Sequence, residues 1–177
     1  MLACITWLLL ICPVGELASQ VKCGADRWSV KTLADPDADR VAKIASNTSI
    51  SKLAEISIPE IPYPLNGRME PHELRTYRLT ATVSQILYET DKDWHIVLRD
   101  SITGQTMIAE IPSPECAANS AHAALYSAAR DSLRRVPRGG MITIEGIGFF
   151  DFIHNQRGHS RNCFELHPVT LILPYRK

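Results

Sequence analysis

The sequence predicts a mainly β fold of the α+β kind: a small five-stranded barrel, one helix between its third and fourth strands, and an extended arm before it. Three observations predict this arrangement. From Leu74 onward, apolar residues alternate with polar ones in three successive runs. The spacing then changes to that of a helix over residues 115–135, and two further strand-like runs follow.

The first three strands are separated by turn signals. Residues 88–93 are polar, and residues 100–104 end in Gly104, which can adopt the positive φ of a hairpin turn. Pro112 and Pro114 stop the third strand. The alternating apolar positions are Tyr77, Leu79, Ala81 and Val83, then Trp94, Ile96 and Leu98, then Met107, Ala109 and Ile111.

The predicted helix carries apolar residues at steps of three and four from Ala121 to Val136, which describes one buried stripe. Residues 137–140, Pro-Arg-Gly-Gly, end it. In the fourth strand, Gly146 and Gly148 predict a bulge or a tight bend. A polar loop at 154–161 precedes the last strand, in which Pro168 resets the alternation.

Three strands, a helix and two strands is the element order of the OB-fold, a five-stranded barrel. Another small barrel or a β-sandwich is the alternative. We assign residues 74–177 to the OB-like barrel domain and residues 20–73 to an amino-terminal arm with a proline-rich connector. In that arm, residues 35–37 predict the start of a short helix at 38–44, and three prolines impose extended backbone on residues 57–67.

Residues 1–19 are predicted to be a signal peptide. The apolar run at 5–14 is too short to span a bilayer, which takes about 20 residues, and small residues follow it. The absence of Lys or Arg in residues 1–4 departs from the pattern, and a buried strand or helix is the alternative. We therefore expect a secreted or periplasmic protein with no transmembrane anchor after cleavage.

Charge and cysteine content restrict the function classes. The 19 Lys and Arg residues balance the 19 Asp and Glu residues, so the net charge does not support a nucleic-acid partner. Removal of the leader leaves three of the five cysteines. We predict a disulfide between Cys23 and Cys116 that ties the arm to the barrel, although sequence alone leaves the pairing open. Without a C-x-x-C motif, zinc or thioredoxin-like chemistry is not expected.

Several segments resemble a family of uncharacterised bacterial exported proteins. They are RWSVKTL at 27–33 with DPD at 35–37, TMIAEIP at 106–112, GIGFFD at 146–151 and ELHPV at 165–169. The resemblance extends over nearly all of the mature chain and implies export but no particular activity. In that family the last loop resembles His154-x-Gln156-x-Gly158, followed by Asn162. Cys163 is atypical at its place, which implies that it lies outside the disulfide.

The last loop and strand carry the candidate binding site. Glu165 and His167 lie two residues apart on a strand, so their side chains share a face. Histidine and carboxylate together suit a divalent metal or acid–base chemistry, but the spacing matches no metal motif, so metal and cofactor are left unknown. A structural role, in which the loop side chains bond the backbone, is the alternative. The candidate residues are Asp151, His154, Gln156, Asn162, Glu165 and His167.

Two other clusters are interpreted structurally. Asp91, Asp93 and His95 form a D-x-D-x-H run that could present ligands to a metal, but we favour Asp91 and Asp93 as turn formers with His95 pointing outward from its strand. A nuclease of the staphylococcal type would need carboxylates and arginines in this region, but its Gly-Asp-Thr run is absent. The second cluster is interpreted as a solvated helix face, because no stacking aromatics are interleaved with it. Its members are Arg130, Arg134, Arg135 and Arg138.

These observations favour an exported OB-like binding module of unknown ligand or protein partner. The alternative is a metal-assisted hydrolase or nuclease-like phosphodiesterase that uses the cluster from His154 to His167. That alternative predicts that His154, Glu165 and His167 converge on one point. A purely structural envelope component is a third hypothesis. Because no G-x-S-x-G motif occurs, whether the protein is an enzyme stays open.

Overall fold

The computed structural model describes residues 23–24, 26–60, 62–118, 120–152 and 156–175. The predicted signal peptide and His154 lie outside these residues. None of the described helices has the length and apolar character needed to cross a bilayer. The strands are β1 (Ser46–Asn47), β2 (Thr76–Tyr88), β3 (Trp94–Arg99), β4 (Thr106–Ile111), β5 (Met141–Phe150) and β6 (Phe164–Pro174). The α-helices are α1 (Trp28–Lys31), α2 (Ile50–Leu53) and α3 (Ala123–Arg134), with 3-10 turns at Ala38–Arg40 and His72–Leu74.

Strands β2 to β6 close into a barrel, in the order β2-β3-β4-β6-β5 and back to β2. Its neighbouring strands pair antiparallel except for β4 and β6, which run parallel with Ala109 opposite Leu166. The short β1 pairs with β2 outside the barrel. This mixed, closed barrel confirms the predicted OB-like fold.

Side-chain alternation explains why the strands curl around a single core. In β2, Tyr77 and Leu79 are buried, while Arg78 and Thr80, which alternate with them along the strand, are exposed. The register of β5 against β6 shifts around Gly146, as the sequence predicted. A Cβ at Gly146 would lie 2.9 Å from the Leu166 Cβ, so glycine lets β6 approach closely here.

Helix α3 covers one end of the barrel with Tyr126 and Leu133, which are 0% and 1% exposed. It begins at Ala123 rather than at residue 115, so the predicted start was wrong. The residues before it form turns because their side chains are bonded to other segments of the chain. Cys116 is disulfide-bonded, and the Ser120 hydroxyl donates to the carbonyl of Thr32 in the arm.

The arm wraps the barrel and is bonded to it. The predicted helix at 38–44 is reduced to the 3-10 turn, because the Ala42 N–H and carbonyl are both bonded to the start of the barrel, at Leu74 and Thr76. The disulfide between Cys23 and Cys116 is present as predicted and joins residues 93 positions apart. The described part of 57–67 runs along the surface without regular secondary structure.

Candidate functional site

A group of polar side chains is buried on the outer face of the barrel. Four of these residues occupy strand positions that alternate with the core residues Ile96, Ala109 and Leu166, so they point away from the barrel interior, and the other two adjoin the ends of β3 and β5. The arm and the β5–β6 loop cover them. We call this group the acid–histidine cluster, and its members are Asp93, His95, Glu110, Asp151, Glu165 and His167, each no more than 6% exposed.

Glu110 connects the two histidines of the cluster. Its Oε1 accepts from His95 Nδ1 at 2.9 Å, and its Oε2 lies 3.1 Å from His167 Nδ1. Glu165 Oε1 also lies 3.3 Å from His167 Nδ1. The other nitrogen of His95 donates to the Arg157 carbonyl at 3.1 Å. Because both nitrogens of His95 face acceptors, its imidazole is held in the charged form.

Two atoms in the middle of the cluster are buried without a hydrogen-bond partner. They are Asp93 Oδ2 and His167 Nε2, which face each other at 3.7 Å. That separation is too long for a hydrogen bond. The other Asp93 oxygen accepts from the Ser113 N–H at 2.7 Å, so the carboxylate is fixed in place.

Burial and mutual attraction shift the proton affinities of the cluster. Burial raises the pKa of Asp93 to about 7, although His167 pulls it down. Burial disfavours the charged form of His167, but hydrogen bonds to Glu110 and Glu165 prevail and raise its pKa to about 9. Burial would raise the pKa of Glu110, but its bonds to both histidines hold that pKa well below its usual range.

Two further groups at the edge of the cluster respond to its charge. Burial, with Glu110 and Asp151 nearby, raises the pKa of Glu165. Burial would lower the pKa of Lys31, but Asp151 and the other carboxylates raise it. The Lys31 Nζ lies 3.8 Å from Asp151 Oδ1 and 5.2 Å from the centre of the Phe149 ring.

At the loop side of the cluster, the described residues enclose a small cavity. A cavity of about 10 Å³ is bordered by Asp151, Gln156 and Glu165. This is room for roughly one water molecule.

The structure brings some of the predicted site residues together and separates others. Glu165 and His167 are in contact, and Asp151 and Gln156 lie beside the small cavity. Asn162 points elsewhere: its amide donates to the carbonyls of Leu53 and Ile56, both at 2.9 Å. The convergence of His154 with Glu165 and His167 stays a prediction, because His154 lies outside the described residues.

Sequence reasoning missed half of the cluster. His95 does point outward from its strand, as predicted, but it is only 1% exposed because other segments cover it. Asp93 does lie in the expected turn, where its N–H donates to Asp91 Oδ1 at 3.1 Å, whereas Glu110 was not singled out as a site residue. The available signal was the polar pair Asp93 and His95 on one strand face. Alternation alone cannot tell a face covered by another segment from one covered by water.

A second feature lies at the β2–β3 hairpin, where an open groove of about 440 Å³ runs along the surface. An adjoining hollow of about 290 Å³ shares four of its residues, Tyr88, Glu115, Arg130 and Arg134. The guanidinium carbons of Arg130 and Arg134 lie 5.3 and 5.0 Å from the centre of the Trp94 ring. Arg130 is 8% exposed, so the interpretation of all four helix arginines as a solvated face was wrong for this residue.

Comparison with known proteins finds no matching family model and no matching curated protein. Among solved structures, the chain is similar to one assigned as an aspartyl-tRNA synthetase from Leishmania major Friedlin, with a TM-score of 0.43 and 15% sequence identity. The match covers 76% of this chain and 21% of that chain. This chain therefore spans about a fifth of the length of that protein.

Proposed function

We propose that the protein is an exported OB-like binding module that holds its ligand in the groove at the β2–β3 hairpin. The observation that carries the proposal is the arginine pair stacked on Trp94 at the edge of an open groove. The first hairpin of an OB-fold is one of the places where such barrels bind ligands. The groove volume of about 440 Å³ is within the range of small-ligand sites.

The groove combines an ordered cationic wall with an exposed apolar one. Arg130 donates to the carbonyls of Lys92 and Ile111, at 2.7 and 2.9 Å, so its guanidinium is fixed before a ligand arrives. Across the groove, Tyr88 and Ile86 are 65% and 45% exposed. A ligand that fits carries an anionic group next to a flat or apolar part.

The acid–histidine cluster supports binding rather than hydrolysis as the function. A metal-assisted hydrolase has to bring substrate and water to its acid and base. Glu165 and His167 are 2% and 0% exposed, and the cavity beside Glu165 holds about one water. Among the described residues, the hairpin groove therefore offers a ligand more room than the surroundings of Glu165 do.

Export is supported by the disulfide, since disulfides persist in oxidising compartments outside the cytosol. The leader-like residues 1–19 and the resemblance to exported bacterial proteins agree with it. Expression of the full chain, followed by fractionation and amino-terminal sequencing, tests this part. A cytosolic product that retains residue 1 would contradict export.

The groove is tested with anilinonaphthalene sulfonate, an aromatic anion whose fluorescence rises on binding. We expect Arg134→Ala and Tyr88→Ala each to weaken dye binding by about tenfold, which corresponds to the loss of one cation–π or anion contact. Arg40→Ala is the matched control, because Arg40 is also an exposed arginine in ion pairs but lies in the arm. Equal binding by all variants would contradict the groove as the site.

Competition then identifies the ligand class. Single-stranded DNA and a sulfated oligosaccharide are titrated against the bound dye on the wild-type chain. Displacement by the oligosaccharide alone agrees with the neutral net charge. Displacement by DNA alone, with a steep salt dependence, would assign the groove to nucleic acid instead.

A further inference from the structure

We infer that Asp93, Glu110 and His167 form a binding site for one divalent transition-metal cation under the arm, separate from the hairpin groove. One potential ligand atom from each of the three residues lies within 4.8 Å of the other two, and all three residues are buried. Among the described residues, no other group of three acidic, histidine or cysteine side chains has its ligand atoms this close together.

The two atoms without hydrogen-bond partners point to the position of the cation. Asp93 Oδ2 and His167 Nε2 are both buried and lie 3.7 Å apart. A buried carboxylate oxygen without a partner is destabilising, so such atoms are uncommon. A metal ion about 2.1 Å from both atoms would make an O–metal–N angle of roughly 120°, which is close to the angles of zinc coordination.

The surroundings of His167 match those of a metal-binding histidine. Glu165 Oε1 accepts from its Nδ1 at 3.3 Å and Glu110 Oε2 lies 3.1 Å from the same nitrogen, so the imidazole that binds a cation would carry its lone pair on Nε2. Metal-ligating histidines almost always donate their other N–H in this way. Because Glu165 can hold the Nδ1–H on its own, the Glu110 carboxylate is available as the third ligand. Uptake of the cation displaces any proton on Nε2, which is released to solvent.

The charge of the cluster also calls for a cation. Asp93, Glu110 and Glu165 surround His167 at 3% side-chain exposure or less, apart from the 8% exposed Glu110. His95 faces these carboxylates from β3 and Lys31 from α1. Buried like charges repel, and a doubly charged ion between them would keep all three carboxylates ionised.

The ligand types select the class of metal. One imidazole nitrogen with carboxylate oxygens suits Zn²⁺, Mn²⁺ or Fe²⁺, whereas Ca²⁺ and Mg²⁺ prefer oxygen ligands alone. Asp93, Glu110 and His167 are 1%, 6% and 0% exposed, so a cation held by them would be closed off from substrates and its role would be structural. The cation would cross-link β4, β6 and the turn before β3.

The experiment is metal loading of the full mature chain. The protein is unfolded with a chelator, refolded with Zn²⁺, Mn²⁺, Co²⁺ or no metal, desalted and assayed for bound metal and thermal stability. We expect about one equivalent of at least one metal and a higher melting temperature than without metal. Asp93→Asn and His167→Gln are expected to weaken binding at least about tenfold, whereas the exposed His159→Gln control keeps it.

Two results would overturn the site. The first is a wild-type chain that refolds without retaining any of the three metals. The second is metal binding by Asp93→Asn or His167→Gln equal to that of the control. If those variants do not fold, X-ray absorption of the zinc-loaded wild-type chain decides. One imidazole and oxygen ligands would support the site, and sulfur ligation or no imidazole would refute it.

Discussion

Arg27 of the arm and Glu73 of the segment before β2 form a bidentate ion pair in which neither side chain is exposed to solvent. Arg27 Nη1 donates to Glu73 Oε1 at 2.8 Å and Nη2 donates to Oε2 at 2.5 Å. Glu73 also accepts from the Phe150 N–H at 2.8 Å. The pair therefore joins the arm to the end of β5, and its remaining hydrogen-bonding capacity is used.

Removing one member of this pair is expected to be costly. Arg27→Met leaves the Glu73 carboxylate buried without its cation, and we expect it to lower the free energy of unfolding by about 3–5 kcal/mol. Urea denaturation measures this. Arg40→Met removes an exposed arginine that pairs with Asp37 and Glu70, and should destabilise the fold far less than Arg27→Met. Equal losses in the two variants would contradict a special role for Arg27.

The disulfide is expected to contribute strongly, because it closes a long loop in the unfolded chain. Cys23 and Cys116 are separated by 93 residues. For a loop of this length, the entropic model gives about 4–5 kcal/mol, and measured values for native disulfides are about 2–5 kcal/mol. We expect the double substitution of both cysteines by serine to lower unfolding free energy by this amount. Cys163→Ser is the control and should leave the stabilisation by the disulfide in place. A melting temperature of the double variant that still falls on addition of reductant would contradict the pairing of Cys23 with Cys116.

Asn162 is expected to matter for stability rather than for binding. Its amide satisfies the carbonyls at the end of α2, and its Oδ1 accepts from Ser160 Oγ at 2.7 Å and from the Phe164 N–H at 3.2 Å. Asn162→Ala strips partners from buried groups, at about 1–3 kcal/mol. Dye binding at the hairpin groove should be unchanged. The exposed Asn66→Ala serves as the control in the same denaturation series.

The pH dependence of stability is expected to contain a contribution from His72. Burial lowers the pKa of His72 below 6.5, and Arg75 lowers it further. Below that ordinary value the unfolded chain binds a proton that the folded chain does not, so stability falls as the pH drops through this window. We expect His72→Gln to reduce the fall between about pH 6.5 and about pH 5. An unchanged slope in urea denaturation would contradict this assignment, and His159→Gln is the control.

The barrel could be predicted from sequence because each of its strands has a recognisable pattern of alternating apolar residues. In β2, the alternation of Leu79 and Ala81 with Thr80 matches the burial pattern residue by residue. The start of α3 was missed for the opposite reason. The turns before it depend on a disulfide and on bonds to the arm, and such distant partners leave no periodic trace.

The two candidate sites were only partly predictable. His95 and Glu110 alternate with core residues as solvent-facing side chains do, and only the arm and loop laid over them reveal that they are buried. The hairpin groove was missed because Trp94 and Arg134 are forty positions apart and meet only when α3 folds against β3. Polar residues on a strand next to a long loop are therefore worth testing as covered rather than exposed.

The barrel is closed between β4 and β6 by a ladder of a single residue pair, so few backbone hydrogen bonds hold these two strands together. Ala109 and Leu166 pair there, whereas a ladder from Thr76 to Thr82 joins β2 to β5. Local opening begins where backbone hydrogen bonds are few, so amide exchange should be fastest along this seam. Because Glu110 and His167 flank it, brief parting of these two strands would give ions a way in from solvent. The rate of cation uptake would then be limited by the rate at which β4 and β6 separate and not by the diffusion of the cation.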